Sequence, residues 1–170
     1  MTGSDGRRAV YAASFDPPTN GHIYVIDWSR RLFDWVVVAV GVNPAKTPTL
    51  TAEERTGLLR ECLVGREGVD VDSFEAEYLV DYARRAGATH IVRGIRNAKD
   101  FEDESVMAWF NQRICPGIDT VWAPPHPELS AISSSAVNHL VGPKGWEGQV
   151  RKYVPEPVYR MFVERMGGKA

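Results

Sequence analysis

Cysteine is scarce in this chain. Cys62 and Cys115 are the only two among 170 residues, and no Cys or His lies at metal-ligand spacing from either. That excludes a disulfide framework and a zinc ribbon or finger, and it suits the reduced thiols of a cytoplasmic protein. His90, His126 and His139 share no ligand spacing, so no dedicated protein metal site is expected. Long apolar runs are missing: nothing approaches the ~20 residues of a spanning helix. The start, Met1-Thr2-Gly3-Ser4-Asp5-Gly6-Arg7-Arg8, lacks the apolar centre of a signal peptide. Residues 1–7 are expected to form a flexible leader before one domain over 8–170. Excess positive charge is absent too. Lys and Arg number 20 against 22 Asp and Glu, a net charge of −2, which argues against nucleic-acid or membrane-surface partners. There are no repeats or low-complexity segments, and only Gly142-Pro143-Lys144-Gly145 reads as linker-like.

What is present is alternation of strand and helix signals. Ala9 to Ala13 is apolar and strand-like, and Trp35 to Val40 is continuously apolar, as in a strand covered on both faces. Val69-Asp70-Val71-Asp72 alternates like a short or edge strand. Thr89 to Arg93 and Thr120 to Ala123 complete the set. Between them, helical patterns cover His22 to Leu32 (with Ile23, Ile26 and Ser29 on one face), Tyr78 to Ala86 before Gly87, and Ser133 to Leu140. Thr51-Ala52-Glu53-Glu54 is a capping box opening a helix to about Leu63. Asp100 is expected to cap a helix to about Ile114, and Pro157 opens a terminal helix to Met166. Repeated βαβ units predict an α/β fold: a single Rossmann-like domain with about five parallel strands flanked by helices.

The polar residues that carry chemistry fall just after strands. In such a sheet these loops converge on one edge, where nucleotides bind. The loop from Ala12 to His22 delivers the Ser14 hydroxyl and the His22 imidazole. His22 falls on a first helical turn, whose free N–H groups favour anions. Gly21 allows close approach of backbone or ligand, and Asp16 is suited to fixing the loop through an Asx-type bond. Arg93 and Arg96 bracket Gly94-Ile95 and can clamp separate phosphate oxygens. Glu104 and Asn111, seven apart, are expected on one helix face. Ser133-Ser134-Ser135 can cap a helix and also offer a second anion site. Lys46 sits in a Pro-flanked loop, and His126 is expected near the cleft rim.

Thr19-Asn20-Gly21-His22 and the loop before it resemble the T/HxGH signature of the nucleotidyltransferase superfamily. Asn43-Pro44-Ala45-Lys46-Thr47-Pro48, Arg93-Gly94-Ile95-Arg96, Asp100-Phe101-Glu102 through Asn111, and Ile132-Ser133-Ser134-Ser135 follow in the order and spacing of the phosphopantetheine adenylyltransferase family. The likeness spans residues 8 to 165. It implies adenylyl transfer from ATP to 4′-phosphopantetheine, yielding dephospho-coenzyme A and pyrophosphate, with Mg²⁺ carried by the nucleotide. It implies catalytic roles for His22, Lys46 and Arg96. Nucleotide contacts would come from Ser14, Phe15, His22, Arg96, Glu104 and Ser133 to Ser135, and acceptor contacts from Ser14, Lys46, Leu79, Arg93 and Asn111. The family commonly forms hexamers, so a homo-oligomer is implied.

This sequence departs from the family pattern at Ala12-Ala13, where Pro-Gly is usual. Asp103, Leu129 and Ala131 stand at positions commonly aromatic, and Asn138 replaces a usual lysine. The segment from Phe74 to Tyr82 is about one residue longer. These changes spare the phosphate machinery and fall on the base and acceptor pockets. Two other readings therefore stay open. One is the same chemistry with another phosphate or phosphonate acceptor or another NTP. The other is a non-catalytic nucleotide-binding or scaffold protein.

Overall fold

Five apolar segments pair into one sheet in which every neighbouring pair is parallel. They are β1 (Arg8–Ala13), β2 (Trp35–Val42), β3 (Val69–Glu75), β4 (His90–Gly94) and β5 (Asp119–Ala123), in the order β3-β2-β1-β4-β5. Seven helices accompany them among the described residues: α1 (Asn20–Ser29), α2 (Ala52–Cys62), α3 (Leu79–Arg85), α4 (Ala98–Ile114), α5 (Ser134–Leu140), α6 (Trp146–Val150) and α7 (Glu156–Gly167). This is a computed structural model, and it describes residues 6–124 and 126–167. Residues 1–5 of the expected leader, and Pro125 beside His126, lie outside the described residues. Arg7, at the end of that leader, donates its N–H to Asp34 Oδ2 at 2.7 Å, and its carbonyl accepts from Asp34 N.

Successive side chains of a strand point to opposite faces, and here both faces are covered. On one face Tyr11, Val36, Val38, Val40 and Val92 pack against Val25 and Ile26 of α1 and Leu59 of α2. On the other, Val10, Val37, Ala39 and Ile91 meet Val80, Tyr82 and Ala83 of α3. The continuous apolar reading of β2 is thus explained by burial on two sides. Each fully buried valine contributes about 1.5–3 kcal/mol, so stability concentrates in β1, β2 and β4 rather than in the edge strands. A third cluster lies off the sheet. Leu50, Leu58, Val137, Trp146, Val150, Val154, Val158 and Phe162 join α2, α5, α6 and α7.

The strand order reverses at β1, which has β2 and then β3 on one side and β4 and then β5 on the other. Ligands bind outside the carboxyl ends of the strands at such a switch point. Close approach of α1 to β4 is allowed by Gly94, where an added Cβ would stand 3.0 Å from Val25 Cγ2. The buried Ser29 hydroxyl on α1 is satisfied by donating to the Val25 carbonyl at 2.7 Å.

Two sequence expectations need correction. The α4 cap is Asn97, whose side chain accepts from Asp100 N at 2.9 Å; Asp100 lies inside the first turn, and its carboxylate pairs with Arg96. The stretch read as a linker leads straight into a helix: Gly145, at φ 81°, turns the chain into α6, which buries Trp146 and Val150. Glu104 and Asn111 both lie within α4, two turns apart as expected, and meet different surroundings along it. Glu104 reaches the sheet edge, whereas Asn111 is buried further along α4, whose intrahelical bonding uses its carbonyl for Cys115 N.

Candidate active site

A cleft of about 360 Å³ opens at the switch point, over the carboxyl ends of β1 and β4 and between the amino ends of α1 and α5. It brings together Ser14, His22, Arg93, Arg96, Glu104 and Ser133 to Ser135 from segments distant in sequence. His126, Leu129 and Asp103 line it as well. Lys46, Leu79, Asn111 and Phe15 are not among its walls. Lys46 is exposed in the β2–α2 loop, in a turn closed by its own N–H to the Asn43 carbonyl at 3.0 Å. Leu79 packs on the α3 face of the core. The Phe15 ring is fully buried, at φ 50°, and meets the His22 ring edge-on at 4.9 Å.

His22 is held by a reciprocal cap. The Thr19 hydroxyl accepts from His22 N, and His22 Nδ1 accepts from Thr19 N at 3.0 Å. An acceptor nitrogen carries no proton, so the neutral ring bears its hydrogen on Nε2, the nitrogen left to the cleft. Capping and function are therefore one arrangement: the cap selects the tautomer. Burial, and then the Arg96 guanidinium, lower the His22 pKa from 6.5 to about 4. The ring donates to an anion without being a cation. Gly21 has room for a methyl as far as the protein is concerned, since an added Cβ would meet only Thr19 Oγ1 at 3.5 Å. The space it leaves belongs to the cleft.

Both arginines are already occupied. Arg93 grips Glu104 through Nε and Nη2 at 2.8 and 2.5 Å, and its Nη1 donates to the Ala12 carbonyl at 2.5 Å. Arg96 takes Asp100 through its own N–H at 3.1 Å and Nε at 2.9 Å. The cleft walls thus hold two guanidinium groups against three carboxylates, those of Asp100, Asp103 and Glu104. The amino ends of α1 and α5 add backbone dipoles of the sign that favours anions. At α5, Ser133 caps by accepting from Ala136 N, and the Ser134 hydroxyl donates to the Pro17 carbonyl at 2.8 Å. The Tyr11 phenol, buried in the wall beneath, is held far above its usual pKa by burial and stays protonated. Among the described residues no three His, Cys, Asp or Glu side chains form a metal cluster.

The sequence reading did not single out Asp100 as a cleft carboxylate, Thr19 as the residue that sets the tautomer, or Tyr24. The Tyr24 ring meets His126 edge-on at 5.0 Å at the far end of the cleft. Thr19 was within reach of inspection, because T-x-x-H has capping-box spacing with histidine in place of glutamate.

Residues 10–139 match the Cytidylyltransferase-like family model. A protein of Chromobacterium violaceum named phosphopantetheine adenylyltransferase is 51% identical over 157 residues, 92% of this chain and 96% of its own length. Carboxydothermus hydrogenoformans has one of that name, 41% identical, with 89% and 91% covered. The chain belongs to the phosphopantetheine adenylyltransferase family. Among solved structures, a Plasmodium falciparum nicotinic acid mononucleotide adenylyltransferase complexed with NaAD superposes with a TM-score of 0.66, at 14% identity, over 94% of this chain and 95% of that one. A Francisella tularensis bifunctional NMN adenylyltransferase/ADP ribose pyrophosphatase gives 0.66, at 14% identity, over 95% of this chain and 50% of that one. At such identities the likeness is one of fold.

Within this phosphopantetheine adenylyltransferase family member, the departures acquire physical content. Ala12 and Ala13 extend β1 in register with Ala39 and Val40, and the Ala12 carbonyl anchors Arg93. Asn138 donates from its amide to the Asp16 carbonyl at 3.0 Å and to Thr49 Oγ1 at 3.1 Å. Leu129 and Asp103 both face the cleft.

The histidine carries a pH signature. Its folded pKa, about 4, lies below the unfolded value of 6.5. Between those values the unfolded chain binds the proton and the folded one does not, so stability falls as pH drops from 6.5 to 4. His22→Gln keeps the reciprocal cap and removes the titration. The urea midpoint of the wild type should fall more steeply than that of the variant across this window. An imidazole resonance titrating at 6.5 or above would show that burial and Arg96 do not act on His22.

Proposed function

We propose that the chain transfers the adenylyl group of ATP to 4′-phosphopantetheine, giving dephospho-coenzyme A and pyrophosphate. The observation that carries this reading is the facing pair of helix amino ends across the switch point, with a neutral His22 held by its cap so that Nε2–H is left to the cleft. An oxygen of the acceptor phosphate attacks the α-phosphorus, and the bond from that phosphorus to the bridging oxygen of the leaving pyrophosphate breaks. The acceptor is already an anion, so no strong base is needed. Catalysis is positioning plus stabilisation of charge gathering on the transferring phosphoryl group.

In this reading His22 donates Nε2–H to the α-phosphate. Arg96 leaves Asp100 for the triphosphate, and the amino end of α5 with Ser133 to Ser135 receives the β- and γ-phosphates. Arg93, aimed by Glu104, takes the acceptor phosphate beside Ser14, and the exposed Lys46 reaches in from its loop to bridge the two substrates. Leu79 and Asn111 would serve the pantetheine arm from the α3 and α4 side, and the Phe15 main chain would border the nucleotide. The base fits the end of the cleft where Leu129 and the Tyr24–His126 pair supply apolar and aromatic surface. Such stacking contributes about 1–3 kcal/mol per base.

Asp100 and Glu104 each serve an arginine, and Asp103 lies 3.7 Å from Lys99, so these carboxylates do not make a cage for Mg²⁺. The ion belongs with the nucleotide substrate, since it keeps its waters and prefers phosphate oxygens. No helix among the described residues is long and apolar enough to cross a membrane, and a cytoplasmic place for the enzyme is part of this proposal. So are the leader over residues 1–7 and the single nucleotidyltransferase domain over 8–170.

A homo-oligomer, with the hexamer as the expected size, is also proposed. Val106, Met107, Trp109, Phe110 and Ile114 stand exposed along α4 with Trp122 beside them, more apolar surface than an isolated monomer usually shows. Light scattering should report a multiple of the 18.9 kDa chain mass; a monomer at micromolar concentration would remove this part.

Pyrophosphate release across a panel of NTPs and phosphorylated acceptors tests the reaction. ATP with phosphopantetheine should give the highest kcat/KM. A higher value for another pair would replace the acceptor or base while leaving nucleotidyl transfer in place, and no release with any pair would favour a binding or scaffold protein. The two arginines should separate by ligand. Arg96→Ala weakens ATP and Arg93→Ala weakens the acceptor, each by tenfold or more, for loss of a charged hydrogen bond worth about 1.5–3 kcal/mol. Equal loss of the same ligand in both variants, measured by calorimetry, contradicts the assignment.

A further inference from the structure

One charged side chain in the core takes no part in the reaction drawn above. Arg55, on the first turn of α2, is 3% exposed, and it is the only ionic residue among the buried polar ones described. None of the described ion pairs includes it. Its Nη1 donates to the Ser14 carbonyl at 2.7 Å, and its Nε to the Thr51 carbonyl at 3.2 Å. A buried charge without a counter-charge is costly, and two carbonyl dipoles offset only part of that cost. Ser14 lines the cleft, so a negative partner from outside the protein would approach Arg55 from the other side of that residue.

We propose that Arg55 is a positioning residue for the transfer reaction. It clamps the Ser14 main chain from behind, and it holds a cation in reserve that bound phosphates, rather than a protein carboxylate, neutralise. The idea rests on the adenylyl-transfer reading for the identity of the phosphates. The cleft's two arginines are outnumbered by three carboxylates, so a cation behind the wall adds to the helix ends in favouring a polyanion. Arg55 is placed for this because α2 is itself fixed. Thr51 and Glu54 cap each other at 2.8 and 3.1 Å, and Glu54 pairs with Arg165 of α7. The guanidinium is pinned by two acceptors from different segments, so it locks the loop to the helix. A lysine lacks the planar fork to do the same.

The test compares Arg55→Met and Arg55→Lys with the wild type, reading pyrophosphate affinity by calorimetry and kcat and KM by pyrophosphate release. Arg55→Met should lose at least about tenfold in pyrophosphate affinity and roughly 100-fold in kcat, as a misplaced loop does. Arg55→Lys should recover the affinity, which follows charge, and not the kcat, which follows geometry. Wild-type pyrophosphate affinity and kcat in a folded Arg55→Met protein, whatever its Tm, overturn the proposal and leave Arg55 a packing residue. If the Met variant does not fold, wild-type kcat in Arg55→Lys overturns it. Failure of the adenylyl-transfer reading shows separately, as absence of turnover by the wild type with ATP and phosphopantetheine; the pyrophosphate titrations would still report on Arg55.

Discussion

Everything in the cleft depends on how the loop between β1 and α1 is fastened. The Asp16 carboxylate accepts from Thr49 N at 2.7 Å and Leu50 N at 2.8 Å, tying the loop to the approach to α2. The Pro17 and Asp16 carbonyls are taken by Ser134 and Asn138 of α5, and the Asn20 N–H by the Tyr153 carbonyl beyond α6. A loop of this length left to itself would sample many shapes, at about 1–2 kcal/mol per residue to order. Here that cost is met in advance by bonds to segments more than thirty positions away, and Leu50, Val137 and Val150 in the third cluster hold those segments together. The C-terminal helices, which add nothing to the sheet, therefore help to shape the site.

Fastening of this kind suits a reaction with little covalent work for the protein. Donors that are already oriented need no reorganisation as charge shifts in the transition state. A neutral imidazole in a fixed tautomer, two helix ends and a loop held on three sides all act as preset dipoles. Side-chain charges are more mobile by comparison, because each arginine in the cleft has a carboxylate at hand.

The fold was legible because its signals repeat. Apolar runs in β1, β2 and β4, rich in valine in β2, capping residues at α2 and α5, and glycine after α3 all agree with the same parallel layout. The T-x-G-H segment and the paired arginines pointed to the cleft because a loop after a strand has one place to go in such a sheet. Less legible was whatever depends on a partner far off in sequence. Nothing local tells that the Arg93 Nη1 is held by the Ala12 carbonyl, that Asn138 reaches Asp16 and Thr49, or that Asp16 reaches Thr49 and Leu50 instead of its own neighbours. Helix α6 escaped notice because five residues show barely one turn of pattern. Even so, Trp146, Val150, Val154, Val158 and Phe162 recur every fourth position, a stripe visible without coordinates. The Asn138 departure also gains sense only in three dimensions, where a short amide bridges two loops.

The pairing of Arg96 with Asp100 has a consequence for the cell's crowded anion pool. Each resting arginine already holds a carboxylate that travels on the same scaffold and never diffuses away. A visiting anion must therefore evict a resident competitor, and a small, singly charged one gains too little to do so. In the proposed reaction a ligand with several phosphates meets that condition at Arg96, displacing Asp100 while Glu104 stays on Arg93. The tethered carboxylate thus sets a threshold at Arg96 that any incoming anion has to exceed, independent of the shape of the cleft.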